Sequence, residues 1–226
     1  MSKFKLNLKL NKNNIPNILT MIRIWMAFFL TAFLIFHGYK VFQVGFARII
    51  DYQPWLSWLM FVFFTIAIST DFVDGYLARK WKTVSDFGKL WDPLADKIIT
   101  IVGLIYLILS GWFNVGLVVL IIIRDLIVDG LRIQMARQQV DIKANQLARI
   151  KTFYISILII VTLLINAIFN SANYDSGILG SLNEVVSAAK RAFSILVLLG
   201  LIGAVGISYA SGYQYLDKAL KLKNKK

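Results

Sequence analysis

Asp71-Phe72-Val73-Asp74-Gly75-Tyr76-Leu77-Ala78-Arg79, continued by Gly88, Asp92 and Asp96, places four carboxylates where two apolar runs meet a basic loop. The spacing reads D-x2-D-G-x2-A-R-x8-G-x3-D-x3-D. At about 100° per residue, Asp71, Asp74 and Ala78 share one face of a helix. Gly88, Asp92 and Asp96, spaced by four, share a face of the next. Two such faces turned together make a cage of hard oxygen donors suited to Mg²⁺, Mn²⁺ or Ca²⁺. Without a cation those carboxylates would repel one another. A lone Asp near a helix end is usually a cap or a solvated charge. Four at this spacing, with small residues at Gly75, Ala78 and Gly88 that let helices approach closely and leave room for a bulky ligand, point to a functional site.

Composition sets the surroundings of that site. The chain has 226 residues, 58% hydrophobic and only 16% charged, with a mean hydropathy of +0.67, which is the make-up of a polytopic membrane protein. It has no cysteine, so disulfides and thiolate metal sites are excluded. The net charge of +13 fits anionic lipid and membrane orientation, and no base-reading motif points to nucleic acid. His37 ends an apolar run and reads as an interfacial side chain.

Six apolar segments, each near the ~20 residues that cross a bilayer, are expected around 18–37, 56–77, 93–112, 114–136, 152–171 and 192–213. The fold class is therefore all-α, a polytopic bundle of six transmembrane helices. Short connections such as Ser110-Gly111-Trp112-Phe113-Asn114 predict antiparallel neighbours. Trp25, Trp55, Trp58, Trp81, Trp91 and Trp112 fall mostly near span ends, as interfacial aromatics do. The domain reading is a basic N-terminal segment (1–14), a catalytic membrane domain (15–215) and a basic tail (216–226). The first of these is not a signal peptide, because the apolar run that follows is too long and lacks a cleavage site.

Charge placement predicts orientation. With the N-terminus inside, the inner segments hold Lys3, Lys5, Lys9, Lys12, Arg79, Lys80, Lys82, Lys89, Arg137, Lys143, Arg149, Lys151 and the lysines from Lys218 to Lys226. The outer ones hold Lys40, Arg48, Lys190 and Arg191. Both termini and the acidic motif are then cytoplasmic, and 172–189 is a long outer loop.

The acidic run resembles the signature of the CDP-alcohol phosphatidyltransferase family, integral membrane enzymes that make phospholipid head groups. Asp92-Pro93-Leu94-Ala95-Asp96-Lys97 is similar to the branch that makes phosphatidylglycerophosphate. The resemblance implies metal ligation by Asp71, Asp74, Asp92 and Asp96, with two divalent cations, Mg²⁺ or Mn²⁺, per site. It also implies that Asp96 takes the proton from the acceptor hydroxyl. Gly75 and Arg79, with Asp74, Ala78, Ser85 and Gly88, are implied to contact CDP-diacylglycerol. Upstream, Pro16-Asn17-Ile18-Leu19-Thr20-Met21-Ile22-Arg23 resembles the family's P-N-x-x-T-x-x-R, with Pro16, Asn17 and Thr20 on the nucleotide lipid. Pro16-Asn17 also reads as an ordinary helix start.

The acceptor is argued from cations on apolar spans, where a buried Arg is costly. Arg124 and Arg132 lie on the fourth span, and with Arg23, Arg149 and Lys151 they are candidates for binding a phosphate on the acceptor. For Arg132, pairing with Asp129 three residues earlier is the structural alternative. Gly130-Leu131-Arg132 is similar to the branch pattern, whereas Ala148-Arg149-Ile150-Lys151-Thr152 departs from its G-K-x-K-T at the first two positions. The expected reaction is phosphatidyl transfer from CDP-diacylglycerol to glycerol 3-phosphate, giving phosphatidylglycerophosphate and CMP. Alternatives are another acceptor, such as phosphatidylglycerol or an inositol phosphate, and, more distantly, a cation transporter. A homodimer in a bacterial plasma membrane is implied by the resemblance alone.

Overall fold

The structure is a computed structural model that describes residues 21–32, 34, 54–81, 86–137, 146–175 and 182–223. The side chains of 71–81, 86–93, 136–137, 172–175, 182–183 and 222–223 fall outside that description. Among the described residues there are six helices and no strand, so the fold is all-α. They are α1 (Met21–Ala32), α2 (Pro54–Trp81), α3 (Asp86–Leu109), α4 (Val115–Arg137), α5 (Gln146–Asp175) and α6 (Leu182–Lys223).

Two compact units are formed. One holds α1 with Trp58–Ile105; the other holds Asp51–Ser57 with Tyr106–Lys226. In the first, Met60, Phe64 and Ala67 of α2 are buried at helical spacing, while Val62 and Ile66 are exposed. Phe29 of α1 stacks on Phe63 with ring centroids 5.6 Å apart.

The second unit is a three-helix arrangement whose directions can be read from its contacts. Arg124 meets Ser211 and Arg132 meets Tyr215, so α4 and α6 run the same way. Lys151 meets Asp125 and Trp112 meets Asn166, so α5 runs against α4. This up-down-up order is what short connections between successive helices demand. The buried face of α6 is Val197, Leu201, Ala204, Ser208, Ser211 and Tyr215, a 4-3-4-3-4 spacing that keeps one seam toward its neighbours. The other faces carry exposed Leu196, Leu199, Ile202, Tyr213 and Leu220, apolar surface suited to lipid.

The turn between α3 and α4 is built by local hydrogen bonds. Gly111 adopts φ 76°, which an L side chain resists, and closes α3 with bonds from its N–H to Ile108 O (3.0 Å) and from Trp112 N–H to Leu107 O (2.9 Å). Asn114 then caps α4, its side-chain oxygen accepting from Leu117 N–H at 3.3 Å.

Several boundaries differ from the sequence expectation. The stretch 172–189 is not one loop: α5 continues to Asp175 and α6 begins at Leu182, with Glu184 in its first turn, where a negative charge interacts favourably with the helix dipole. Residues 216–223 of the expected tail are helical, continuing α6 past the apolar segment. Lys221 bonds Asp217 one turn back at 2.7 Å, and cations at a helix C-terminus are favourable. At 42 residues α6 is about 63 Å long, twice the ~30 Å hydrocarbon core. Among the described residues, Gln146–Ser171 and Glu184–Lys221 are long and apolar enough to cross a membrane by length and composition. The α4 helix departs from that pattern because Arg124, Asp125, Asp129 and Arg132 interrupt it.

Trp112 is also not an interfacial aromatic. It is 5% exposed and donates Nε1–H to Asn166 Oδ1 at 2.9 Å. The amide of Asn166 in turn donates to Ser57 Oγ and Tyr106 OH, both at 3.2 Å, and Asn170 donates to Ser57 at 2.6 Å. Orphaning a buried donor costs about 1–3 kcal/mol. Asn166→Leu, close in volume, removes the indole's acceptor and is expected to cost about 2–4 kcal/mol, read as a lowered thermal midpoint in detergent.

Candidate active site

The acidic motif straddles the end of α2 and the start of α3. Both helices are continuous through it, so Asp71 and Asp74 stand one turn apart on α2, as Asp92 and Asp96 do on α3. Asp74 and Asp92 each lie about two turns from the α2–α3 connection, and Asp71 and Asp96 each about three turns. Counted along the chain, the four carboxylate positions therefore lie at similar distances from the connection, two on each helix. The side chains of Asp71, Asp74, Gly75, Ala78, Arg79, Gly88 and Asp92 lie outside the described residues, as do Pro16, Asn17, Thr20 and Ser85 altogether.

Asp96 is described in full. Its side chain is 41% exposed, and Oδ1 accepts a hydrogen bond of 2.6 Å from Arg23 Nη1. Arg23 is 1% exposed. A buried guanidinium without an anion costs several kcal/mol, and Asp96 offsets that cost. The carboxylate is thus held by a buried cation on one side while part of it stays at the surface. Arg23, grouped with the acceptor-phosphate residues from the sequence, is bonded to Asp96 in the structure.

The other candidate cations lie in the second unit. Arg124, 6% exposed, donates from Nη1 to Asp125 Oδ1 (2.8 Å) and from Nη2 to Ser211 Oγ (2.9 Å). Lys151, 7% exposed, pairs with the same Asp125 carboxylate. One acid therefore holds two buried cations from different helices. Charge-assisted bonds of this kind contribute roughly 1.5–3 kcal/mol each. Arg132 donates from Nη2 to Tyr215 OH at 2.7 Å, and its guanidinium carbon lies 4.7 Å from the centre of that ring. Arg149 is exposed.

Gly212 makes the close fit possible. A Cβ there would come within 3.0 Å of Arg124 Nε and 3.5 Å of its Cγ. Asp125, Ser211, Gly212 and Tyr215 were not singled out as site residues from the sequence. The available sign was the run of small and polar residues, Ser208, Ser211 and Gly212, at helical spacing on an otherwise apolar helix.

The family profile for CDP-alcohol phosphatidyltransferase matches residues 13–202. The chain belongs to the CDP-alcohol phosphatidyltransferase family. It is similar to the CDP-diacylglycerol--glycerol-3-phosphate 3-phosphatidyltransferase of Mycoplasma pneumoniae, with 38% identity over 160 residues, 70% of this chain and 70% of that protein. The protein of the same name from Mycoplasma genitalium is 44% identical over 62% of this chain and 61% of its own length. That from Bacillus subtilis is 36% identical over 72% of this chain and 76% of its own. A CDP-alcohol phosphatidyltransferase with apolar helices of this kind is an integral membrane enzyme. The family uses divalent metal, and carboxylates, the residue type at these four positions, are hard oxygen donors suited to such a cation.

Proposed function

We propose that this chain transfers a phosphatidyl group from CDP-diacylglycerol to glycerol 3-phosphate, giving phosphatidylglycerophosphate and CMP in phospholipid biosynthesis. Support for the donor comes from the complete acidic signature and from the shared name of the relatives. What favours a phosphorylated acceptor is one observation: Arg124 and Lys151, both buried, converge on Asp125. Two buried cations from different helices brought to one place are groups that a phosphate would use and an inositol or serine hydroxyl would not.

In this reading Asp71, Asp74, Asp92 and Asp96 hold divalent cations, Mg²⁺ or Mn²⁺, which when bound neutralise diphosphate charge. Arg79, Gly75, Ala78, Ser85 and Gly88, with Pro16, Asn17 and Thr20, receive the cytidine diphosphate moiety. Asp96, held by Arg23, takes the proton from the acceptor hydroxyl. The hydroxyl oxygen bonds the phosphorus that carries diacylglycerol, the phosphoanhydride bond breaks, and CMP leaves with its electron pair. Arg124, Arg132, Arg149 and Lys151 orient the acceptor through its phosphate. Residues 15–215 make up the catalytic domain, flanked by basic cytoplasmic segments. The protein sits in a bacterial plasma membrane as a homodimer, with its site and both termini cytoplasmic.

The test is CMP release by purified protein offered CDP-diacylglycerol with different acceptors. Release is expected to require glycerol 3-phosphate together with Mg²⁺ or Mn²⁺. Equal release with inositol, serine or phosphatidylglycerol would reject this acceptor.

A further inference from the structure

The last helix brings two neutral hydroxyls to two cations of α4. Ser211 and Tyr215 stand one turn apart on α6, 0% and 1% exposed, and accept from Arg124 Nη2 and Arg132 Nη2 at 2.9 and 2.7 Å. Arg124 and Arg132 are two turns apart on α4, about 12 Å along its axis, whereas their seats on α6 are only about 6 Å apart. The two side chains are thus drawn toward a shorter stretch of α6 than their own backbone spacing spans.

The chemistry of the seats matters as much as their position. Between Glu184 and Asp217, α6 carries no carboxylate. A carboxylate seat would orient an arginine and cancel its charge; a hydroxyl orients it and adds no negative charge, so that for Arg124 the ion pair with Asp125 is not joined by a second acid from α6. The Tyr215 ring beneath Arg132 adds contact without neutralisation. Gly212, between the two hydroxyls, keeps the helix backbone close enough for Arg124 to lie flat against it.

We propose that Ser211 and Tyr215 are positioning residues for the acceptor, a hydroxyl ledge on α6 that orients Arg124 and Arg132 for a phosphomonoester without adding negative charge beside them. The proposal rests on the reading of the acceptor as glycerol 3-phosphate. The ledge acts on acceptor affinity and not on the nucleotide lipid, since neither residue belongs to the acidic motif or its phosphate-binding neighbours.

The experiment compares steady-state kinetics of the full-length purified protein with those of Tyr215→Phe and Ser211→Ala. Tyr215→Phe keeps the ring and removes only the hydroxyl. Each variant is expected to raise KM for glycerol 3-phosphate about five- to tenfold, less than the loss of a charge-assisted bond made directly to substrate, because the hydroxyls act through the arginines. KM for CDP-diacylglycerol and kcat should stay within about twofold, and the effects of Tyr215→Phe and Arg132→Lys should be less than additive when combined. An unchanged acceptor KM in both variants, or an equal rise in KM for both substrates, overturns the ledge. If Tyr215→Phe does not fold, Ser211→Ala alone carries the same decision. A wild-type protein whose CMP release ignores glycerol 3-phosphate overturns the acceptor reading instead, so the two failures are told apart.

Discussion

Asp96→Asn is expected to abolish phosphatidyl transfer, lowering CMP release at least about 10³-fold, which corresponds to roughly 4 kcal/mol of barrier. The substitution is isosteric. The amide oxygen can still accept from Arg23 Nη1, now 2.6 Å from Oδ1, so the local packing of α1 and α3 has no steric reason to change. What is lost is a negative charge and a proton acceptor. Arg23 is buried and would face a neutral partner, so a lowered thermal midpoint should accompany the loss of turnover. Single-turnover CMP release and a melting curve on the same sample separate the two effects. Turnover above about a tenth of wild type would remove Asp96 from the role of base. Asp92→Asn should be equally inactive through loss of a metal ligand.

Lys151→Met is expected to raise KM for glycerol 3-phosphate about 10- to 100-fold, with a much smaller change in KM for CDP-diacylglycerol. A hydrogen bond between charged partners is worth about 1.5–3 kcal/mol, and each 1.4 kcal/mol is tenfold in affinity. Methionine preserves most of the side-chain stem, so packing is disturbed little. Removing the ammonium also leaves Asp125 paired with Arg124, so one cation fewer is offered to the acceptor phosphate. Lys151→Arg should recover part of the affinity by restoring charge with altered geometry. Initial-rate measurements across acceptor concentration decide the point. A variant that loses kcat while keeping acceptor KM would place Lys151 outside the acceptor site.

The acidic and the basic candidate residues were legible to different degrees. The acidic motif is local: Asp71 and Asp74 are three residues apart, Asp92 and Asp96 four, and one short connection joins their helices. Helical periodicity alone puts each pair on one face. The basic half is assembled across distance in the chain. Arg124 finds Ser211 and Arg132 finds Tyr215 more than eighty residues later, and no periodicity links those positions. Arg23 shows the same limit. Its bond to Asp96, seventy-three residues on, is written in no local pattern either. The helix limits of α5 and α6 were misjudged because composition separates apolar from polar residues, while helices continue through polar turns when charges suit the dipole and i,i+4 pairs form.

Hydropathy and residue spacing were enough to determine an all-α membrane protein with a carboxylate pair on each of two successive helices, because both properties are written within a single turn or a single span. The choice of partner for each buried cation was left to tertiary structure. A guanidinium or ammonium on an apolar helix must find an acceptor, and several lie within the chain's reach. Only the packing of α4, α5 and α6 decides that Arg124 and Lys151 share Asp125 while hydroxyls of α6 receive Arg124 and Arg132.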